Sequence, residues 1–403
     1  MPTPAVHSET RLPWLDATAT RYANWALALA GFSCFALLYG TQPLLPQLTA
    51  AFAVSPAMAS LSVSAGTAAM AFLLIPWSLL SDRYGRVALM RACLLGAAVF
   101  AFASAGAPDF PTLLASRVCL GVCIAGVPAA AMAYLGEELA PELRARAMGL
   151  YIAANALGGM SGRFLAAVVS EYLGWRHGLA ALGVLGLLAA AGFLRLLPRA
   201  RHFVAQPLQW RPLVADVRSI YADPGLPWLF STAFLIMGAF VGIYNYLGFR
   251  LSLAPYLLGP AAIGAIFLLY ALGSLSSLLA AGAAARHGRQ RVILLMSLAM
   301  AAGIGLTLLS PLALIIAGLA LFTFGYFAVH ALASAWVGRR AGARRGLVSA
   351  LYLSSYYLGS SVIGYAAGWP WEHFGWPGVA AALLLPVLLV IAITLRLRRL
   401  GEG

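Results

Sequence analysis

Residues 80–91 read LSDRYGRVALMR, and this charged stretch lies directly between two long apolar runs. Only 9% of the chain is charged, yet four charged residues fall within ten positions here, namely Asp82, Arg83, Arg86 and Arg91. Because 62% of the 403 residues are hydrophobic and the mean hydropathy is +0.88, the chain has too little polar surface for a water-soluble domain. The composition indicates an integral membrane protein in which this stretch is a loop.

Uncharged segments of about 20 residues, the length that a helix needs to cross ~30 Å of hydrocarbon, recur along the whole chain. They predict an all-α fold of twelve transmembrane helices, at residues 22–44, 58–80, 87–107, 111–134, 146–169, 176–197, 226–249, 260–284, 291–309, 312–336, 346–368 and 377–396. The connections are short except for the polar segment 198–225. We therefore predict an N-terminal tail (1–21), two six-helix halves (22–197 and 226–396), a linker (198–225) and a C-terminal tail (397–403).

The positions of the basic residues predict the orientation. All 26 are arginine, and if the N-terminus is cytoplasmic, all but four lie in cytoplasmic tails, loops or helix ends, as the positive-inside rule requires. Arg176 and Arg250 lie on the outer side, and Arg117 and Arg163 lie inside spans. Both termini and the linker are thus predicted to be cytoplasmic. Orientation and anionic lipid headgroups account for the net charge of +14, so nucleic-acid binding is not expected.

An internal repeat joins the fifth predicted span to the eleventh. Six residues are identical at an offset of 201 positions. They are Leu150-Tyr151, Gly158, Glu171 and Gly174-Trp175, which match Leu351-Tyr352, Gly359, Glu372 and Gly375-Trp376. Two parallel six-helix halves of this kind are typical of transporters that bind substrate between the halves and alternate access by rocking.

The chain resembles the major facilitator superfamily. The resemblance covers essentially its whole length and rests on the twelve spans, the repeat, the central loop and LSDRYGR. The stretches YGTQPLLP (39–46), NALGGMSGR (155–163) and YLSSYYLGSS (352–361) are similar to the drug/proton-antiporter-like branch, of the YnfM and arabinose-efflux type. This resemblance implies a monomeric, multi-pass carrier in a bacterial inner membrane, with protons as the coupling ion.

The family's loop motif G-x-L-x-D-R-x-G-R-R is partly present. Asp82, Arg83, Gly85 and Arg86 match it, while Ser78 replaces the first glycine and Val87 the last basic residue. The resemblance implies that these four residues gate the cytoplasmic side by latching the two halves. The alternative is a solvated loop that only obeys charge topology, which would explain the arginines but not Asp82.

The two arginines inside spans are candidate substrate ligands, since an arginine at a span centre costs about 2.5–3.5 kcal/mol without a polar partner or watery cavity. Arg117 matches the family's fourth-span arginine, which implies substrate contact or proton coupling; snorkelling to the outer interface is the alternative. Arg163 follows Asn155 and the close-packing glycines Gly158, Gly159 and Gly162. It is predicted either to face the cavity or to pair with Glu171.

Other predicted substrate-binding residues are polar or aromatic and lie in corresponding parts of the two halves. Pro43 is expected to break the first helix near Tyr39 and Gln42 and to free backbone groups there. The predicted set comprises Arg117, Arg163, Asn155, Tyr39, Gln42, Tyr244, Asn245, Tyr270, Tyr356 and Tyr357. For each tyrosine, packing or an interfacial belt is the alternative.

His330 is the only histidine in the interior of a predicted span, which makes it a candidate proton carrier alongside Arg117; a hydrogen-bonded core histidine is the alternative. No Asp or Glu lies in the middle of any predicted span. Since a buried organic cation needs a counter-charge, we expect a small neutral-polar or anionic substrate. Broad-specificity export of amphiphilic drugs, or uptake of a small organic anion by symport, are the alternatives.

An enzyme or a channel is a less favoured class. The sequence shows no nucleophile with a base and no metal cluster near the membrane surface, and the four cysteines all fall within spans without a nearby histidine or carboxylate. We therefore expect no enzymatic activity, no cofactor and no metal site.

Overall fold

The computed structural model describes residues 14–207 and 210–399, and all regular secondary structure in them is helical. Residues 1–13 of the predicted N-terminal tail, 208 and 209 of the predicted linker, and 400–403 of the predicted C-terminal tail lie outside the described residues. The first half contains α1 (Ala17–Leu38), α2 (Leu45–Phe52), α3 (Pro56–Tyr84), α4 (Arg86–Ala105), α5 (Phe110–Glu138), α6 (Pro141–Leu173) and α7 (Trp175–Leu196).

A linker helix, α8 (Trp210–Tyr221), precedes the second half. That half contains α9 (Leu226–Ser252), α10 (Pro260–Ile266), α11 (Tyr270–His287), α12 (Arg289–Leu306), α13 (Leu312–Arg340), α14 (Arg345–Ala366) and α15 (Gly368–Arg399). A 3₁₀ turn, Phe267–Leu269, joins α10 to α11 as one span. Within α15, Gly375 has non-helical angles (φ 60°, ψ −148°) and marks a kink.

Several helices begin where the sequence supplies a capping side chain. Asp16 accepts a hydrogen bond from the N–H of Ala19 (2.7 Å), and Asp109 accepts one from the N–H of Thr112 (2.8 Å). Pro56, Pro111 and Pro141 occupy first-turn positions, where the missing N–H would have had no helical partner. The first span breaks as predicted, because α1 ends at Leu38 and the chain resumes as a 3₁₀ turn at Gln42–Leu44 before α2.

Eleven helical segments of the described chain are long and apolar enough to cross a membrane. The twelfth member of the bundle is α14, which has 22 residues and contains the sequence YLSSYYLGSS. It packs against α9 of its own half and α3 of the first half. The fold is thus the predicted twelve-helix membrane bundle, with α14 packed between the halves.

The internal repeat is visible as repeated packing. A Cβ atom on Gly158 would lie 1.9 Å from the carbonyl oxygen of Phe32, and one on Gly359 would lie 1.9 Å from that of Phe234. Hence α6 touches α1, and α14 touches α9, backbone to backbone. Two further pairs of glycines repeat in the turns, where positive φ favours glycine: Gly174 (φ 86°) with Gly375 (φ 60°), and Gly85 (φ 100°) with Gly288 (φ 84°).

The bundle has two different ends. We call the end that carries residues 82–86, 198–225 and 340–344 the linker end, and the end that carries residues 39–57, 171 and 372 the far end. Among the described residues, every recorded hydrogen bond between the two halves lies in the far-end part of the helices. The structure is therefore closed at the far end.

Two carboxylates contribute to this closure in a symmetric way. Glu171 of α6 accepts a hydrogen bond from the N–H of Ala261 in the first turn of α10 (2.9 Å). Glu372 of α15 accepts one from the N–H of Ala57 in the first turn of α3 (3.3 Å). Each acid thus caps a helix of the other half, where a negative charge also complements the positive end of the helix dipole.

Candidate functional site

Arg163 is the centre of the cluster between the halves. Its side chain is 3% exposed. The Nε group donates a hydrogen bond to Oε1 of Gln42 (2.6 Å), and Nη1 donates to the carbonyl oxygen of Gly159 (2.5 Å). The guanidinium carbon lies 4.3 Å from the ring centre of Tyr39, 5.2 Å from that of Phe267 and 5.1 Å from that of Tyr270. Three aromatic rings from α10–α11 and the end of the first span therefore surround this cation.

A chain of amides connects Arg163 to the second half. Gln42 holds Arg163 through its oxygen, and its Nε2 donates a hydrogen bond to Oδ1 of Asn245 in α9 (2.8 Å). Asn245 in turn donates to the carbonyl oxygen of Gly364 in α14 (3.4 Å). The predicted residues Arg163, Gln42 and Asn245 are thus brought together, and they bridge the halves. The predicted alternative partner of Arg163, Glu171, instead caps α10.

The tyrosines of the predicted set differ in what their hydroxyl groups contact. The hydroxyl groups of Tyr39 and Tyr270 are buried and have no partner at normal hydrogen-bond distance among the described residues, although the side chain of Ser360 lies near that of Tyr39. The hydroxyl group of Tyr244 lies 2.7 Å from Oγ1 of Thr323, so its hydrogen bond is satisfied within the second half. Tyr39 and Tyr270 therefore place their rings beside Arg163, whereas the ring of Tyr244 lies 5.2 Å from that of Tyr270.

His330 lies beside a tyrosine cluster in α13 and α14. Its Nδ1 is 3.1 Å from the hydroxyl oxygen of Tyr352, and its ring centre is 4.7 Å from that of Tyr356. The hydroxyl oxygens of Tyr356 and Tyr326 are 2.5 Å apart. His330 and Tyr356 are both half-buried, while Tyr357 is buried and packs edge-on against Tyr356.

Arg117 lies apart from this cluster. Its Nε donates to the carbonyl oxygen of Ser62 (2.9 Å), its Nη1 donates to that of Leu37 (3.0 Å), and its Nη2 donates to that of Leu38. Because α1 ends at Leu38, the last two of these carbonyls belong to its final turn, where oxygens lack helical partners. Arg117 therefore caps the broken end of α1 and ties it to α3 and α5, a set of contacts that favours a structural role.

Asn155 also lies outside the Arg163 cluster. It is half-buried, packs beside Gly31 and Tyr151, and its Oδ1 has no hydrogen-bond partner among the described residues. The structure therefore places it on the α1–α6 contact, nearer the linker end than Arg163.

The loop motif folds around Arg86. Its Nη1 contacts Oδ1 of Asp82 in an ion pair, and its Nη2 donates to Oε1 of Glu137 on α5 (2.7 Å). Gly85 supplies the turn at φ 100° between α3 and α4, and Arg83 is exposed. All the recorded partners of Asp82 and Arg86 belong to the first half or the linker, including Phe203 beneath the guanidinium. In this far-end-closed structure the motif braces the first half.

The linker is anchored to both halves by acids. Glu138 of α5 is fully buried; its Oε1 accepts hydrogen bonds from the N–H groups of Arg201 (2.8 Å) and His202 (2.9 Å). Asp223, near the end of the linker, pairs with Arg340 at the end of α13 (3.2 Å). Burial raises the pKa of Asp223. The hydrogen bonds from Arg340 and from the N–H groups of Leu226 and Gly225 together lower it by more than burial raises it, so its pKa lies below the usual range.

Sequence reasoning did not single out several of these residues. Glu137 is separated from Arg86 by 51 positions, so only the fold reveals the pair. Phe240, whose ring stacks on Tyr326 with centres 3.8 Å apart, looks in the sequence like any apolar residue of a span. Thr323, the partner of Tyr244, could have been found as a hydroxyl residue within an apolar run.

The structure has two helical halves related by a parallel repeat, with a polar site between them that is closed at one end of the bundle. This is the architecture of a secondary transporter. Comparison with known proteins agrees. The Major Facilitator Superfamily model matches residues 27–276. The inner membrane transport protein YnfM of Escherichia coli (strain K12) is 41% identical over 374 residues, which are 93% of this chain and 90% of YnfM. The MFS-type transporter YybF of Bacillus subtilis (strain 168) is 39% identical over 371 residues, 92% of each chain.

The chain belongs to the Major Facilitator Superfamily, and it is a transporter rather than an enzyme. Among solved structures, a bacterial homologue of the human lysosomal transporter Spinster, in an inward-facing and occupied conformation, superimposes with a TM-score of 0.79. The match covers 96% of this chain and 99% of that one at 16% identity, and it shows the shared fold.

Proposed function

We propose that this protein is a proton-coupled exporter of a small neutral-polar or anionic solute, working as a monomer in a bacterial cytoplasmic membrane with its linker end in the cytoplasm. The observation that carries the substrate class is Arg163. It is buried between the halves, and no carboxylate lies within ion-pair distance of it among the described residues. A permanent organic cation would meet a like charge there, which costs free energy in a buried site.

The closed far end supports a cycle in which access to the site alternates between the two ends of the bundle. In the proposed orientation the linker end faces the cytoplasm, so the recorded contacts seal the side toward the outside. Substrate then enters from the linker end, and release outward requires these contacts to break. The Asp82–Arg86–Glu137 cluster lies on the other side, where we propose that it takes part in closing the linker end in the opposite state.

His330 is the proposed coupling residue. It is half-buried next to Tyr352 and Tyr356. The rings of Tyr326, Phe240 and Tyr270 connect it to Arg163. An imidazole can gain and lose a proton near neutral pH, and a hydrogen-bonded tyrosine neighbour gives that proton a polar environment. Uptake of a proton here would add a second positive charge to the cluster.

Proteoliposomes that contain a trapped pH-sensitive dye test this proposal. Anionic or neutral test solutes should exchange across the membrane by counterflow and move protons in the opposite direction. His330→Gln should retain counterflow but lose proton movement, whereas His373→Gln, at the exposed far end, should behave as wild type. Competitive transport of ethidium, a quaternary ammonium dye, would overturn the assigned substrate class, and equilibration without counterflow would overturn the carrier mechanism.

A further inference from the structure

Arg163 has hydrogen-bond donors that the protein leaves unused. Its Nε is engaged by Gln42 and its Nη1 by Gly159, but no hydrogen bond from Nη2 is recorded within residues 14–207 and 210–399. The Nη2 group is the third nitrogen of the guanidinium and carries two N–H donors. The hydroxyl groups of Tyr39 and Tyr270, whose rings flank the guanidinium, are also buried and have no partner at normal hydrogen-bond distance, although the side chain of Ser360 lies near that of Tyr39. Donors from three neighbouring side chains therefore have no recorded acceptor in this cluster.

The cluster around Arg163 carries a single buried positive charge, that of the guanidinium. Buried polar groups in proteins are nearly always hydrogen-bonded, and buried charges are nearly always paired. The other intramembrane arginine of this half, Arg117, uses all three nitrogens on backbone carbonyls. The guanidinium of Arg163 thus remains to be neutralised, and a ligand with one negative charge would neutralise it. While His330 is neutral, a dianion would bring a second negative charge for which the cluster has no partner.

The rest of the site is aromatic. The ring of Phe240 packs against those of Tyr270 (5.0 Å between centres) and Tyr326 (3.8 Å). Phe327, Tyr356 and His330 are half-buried members of the same cluster, so part of each ring is available to another molecule. A flat apolar group can be covered by such rings with favourable stacked or edge-on geometry.

We propose that the transported solute is an organic monocarboxylate with an aromatic ring. Its carboxylate accepts hydrogen bonds from Nη2 of Arg163 and from the hydroxyl groups of Tyr39 and Tyr270, and its ring lies toward Tyr356 and Phe327. A guanidinium suits this head group because it stays charged and its Nη2 can donate charge-assisted hydrogen bonds to a carboxylate oxygen. This inference rests on the proposed transport function and narrows its substrate from neutral-polar or anionic solutes to one class.

Binding to the purified full-length protein in detergent tests the head group and the ring separately. The probes are cinnamate, its neutral amide cinnamamide, the cinnamyl trimethylammonium cation, and butyrate as a carboxylate without a ring. Calorimetry at neutral pH should show cinnamate as the tightest ligand, with butyrate and cinnamamide each at least about 10-fold weaker and the cation not competing. Equal affinity for cinnamate and cinnamamide, equal affinity for cinnamate and butyrate, or no binding of any probe would overturn the proposal.

Variants test the named donors. Arg163→Gln should weaken cinnamate binding by about 100-fold, while Tyr39→Phe and Tyr270→Phe should each weaken it by about 10-fold, as expected for hydrogen bonds to a charged group. Binding of cinnamamide should change little in any of them. Arg176→Gln is the matched control for loss of an arginine, since Arg176 donates to the carbonyl oxygens of Ala105 and Ala107 at the far end.

Thermal unfolding of each variant shows that it is folded, and the two Tyr→Phe variants keep the test valid if Arg163→Gln does not fold. Unchanged cinnamate affinity in the folded variants would overturn the assignment of these donors. Binding without counterflow in proteoliposomes would refute the transport function alone, while counterflow of neutral solutes with no preference for carboxylates would refute this inference alone.

Discussion

At Arg117, three backbone carbonyls take the place of a counter-ion. Substitution by glutamine shortens the side chain and leaves the carbonyl oxygens of Leu37 and Leu38 without their donor in a buried site. We expect Arg117→Gln to lower the free energy of unfolding by about 3 kcal/mol, since hydrogen bonds to charged groups contribute about 1.5–3 kcal/mol each. Denaturant titration of the detergent-solubilised protein measures this loss. A variant of unchanged stability that fails to bind substrate would instead support the role implied by the family resemblance.

Asp223 gives a residue-scale prediction for pH. Because its pKa is lowered in the folded protein, its contribution is fully present above its unfolded pKa of about 3.9 and is lost as the pH falls through the lower folded value. Asp223→Asn should therefore lower the free energy of unfolding by about 1.5 kcal/mol equally across the neutral range. The difference from wild type should shrink only below about pH 4. Asp216→Asn is the control, since its pair with Arg344 is exposed on both sides and such pairs contribute little.

At the scale of helices, the glycine contacts of the repeat make a sharp prediction. Gly158→Ala places a Cβ atom 1.9 Å from the carbonyl oxygen of Phe32, so α6 and α1 must separate. We expect a loss of about 1–3 kcal/mol in the free energy of unfolding, the usual cost of overpacking. On the same helix, Gly149 has no atom within 4 Å of its would-be Cβ, so Gly149→Ala should be neutral or stabilising. Equal effects of the two substitutions would contradict the backbone contact.

The helices show what the sequence can and cannot predict. Hydrophobic length predicted the spans, and the register Gly158 to Gly359 predicted two equivalent halves, because both are local or periodic properties of the chain. The broken first helix followed from Pro43. The partners of Arg163 and Arg86 could not be predicted, since Tyr270 and Glu137 approach them only when separate helices pack. The same limit explains why Arg117 and Arg163, equally unusual in the sequence, have different surroundings in the structure.

At the scale of the whole molecule, the two far-end acids bias the protein toward the closed arrangement. Glu171→Gln and Glu372→Gln each replace a charge at a helix N-terminus of the opposite half by a neutral amide. Each should favour opening of the far end by about 0.3–1 kcal/mol, the usual size of such an interaction, and the double variant should show the sum. Distances between spin labels on the two halves at the far end measure the populations. Asp109→Asn is the control, because Asp109 caps a helix of its own half.

The internal repeat contains the same acid twice, as Glu171 and Glu372. Each half therefore contributes one carboxylate to the closed end and one helix N-terminus that a carboxylate of the other half caps. The resting balance between open and closed forms can therefore be adjusted in two similar steps, through a change in either copy. Neither step touches Arg163 or the rings around it. The energetics of the conformational cycle and the chemistry of recognition can thus evolve independently within one chain.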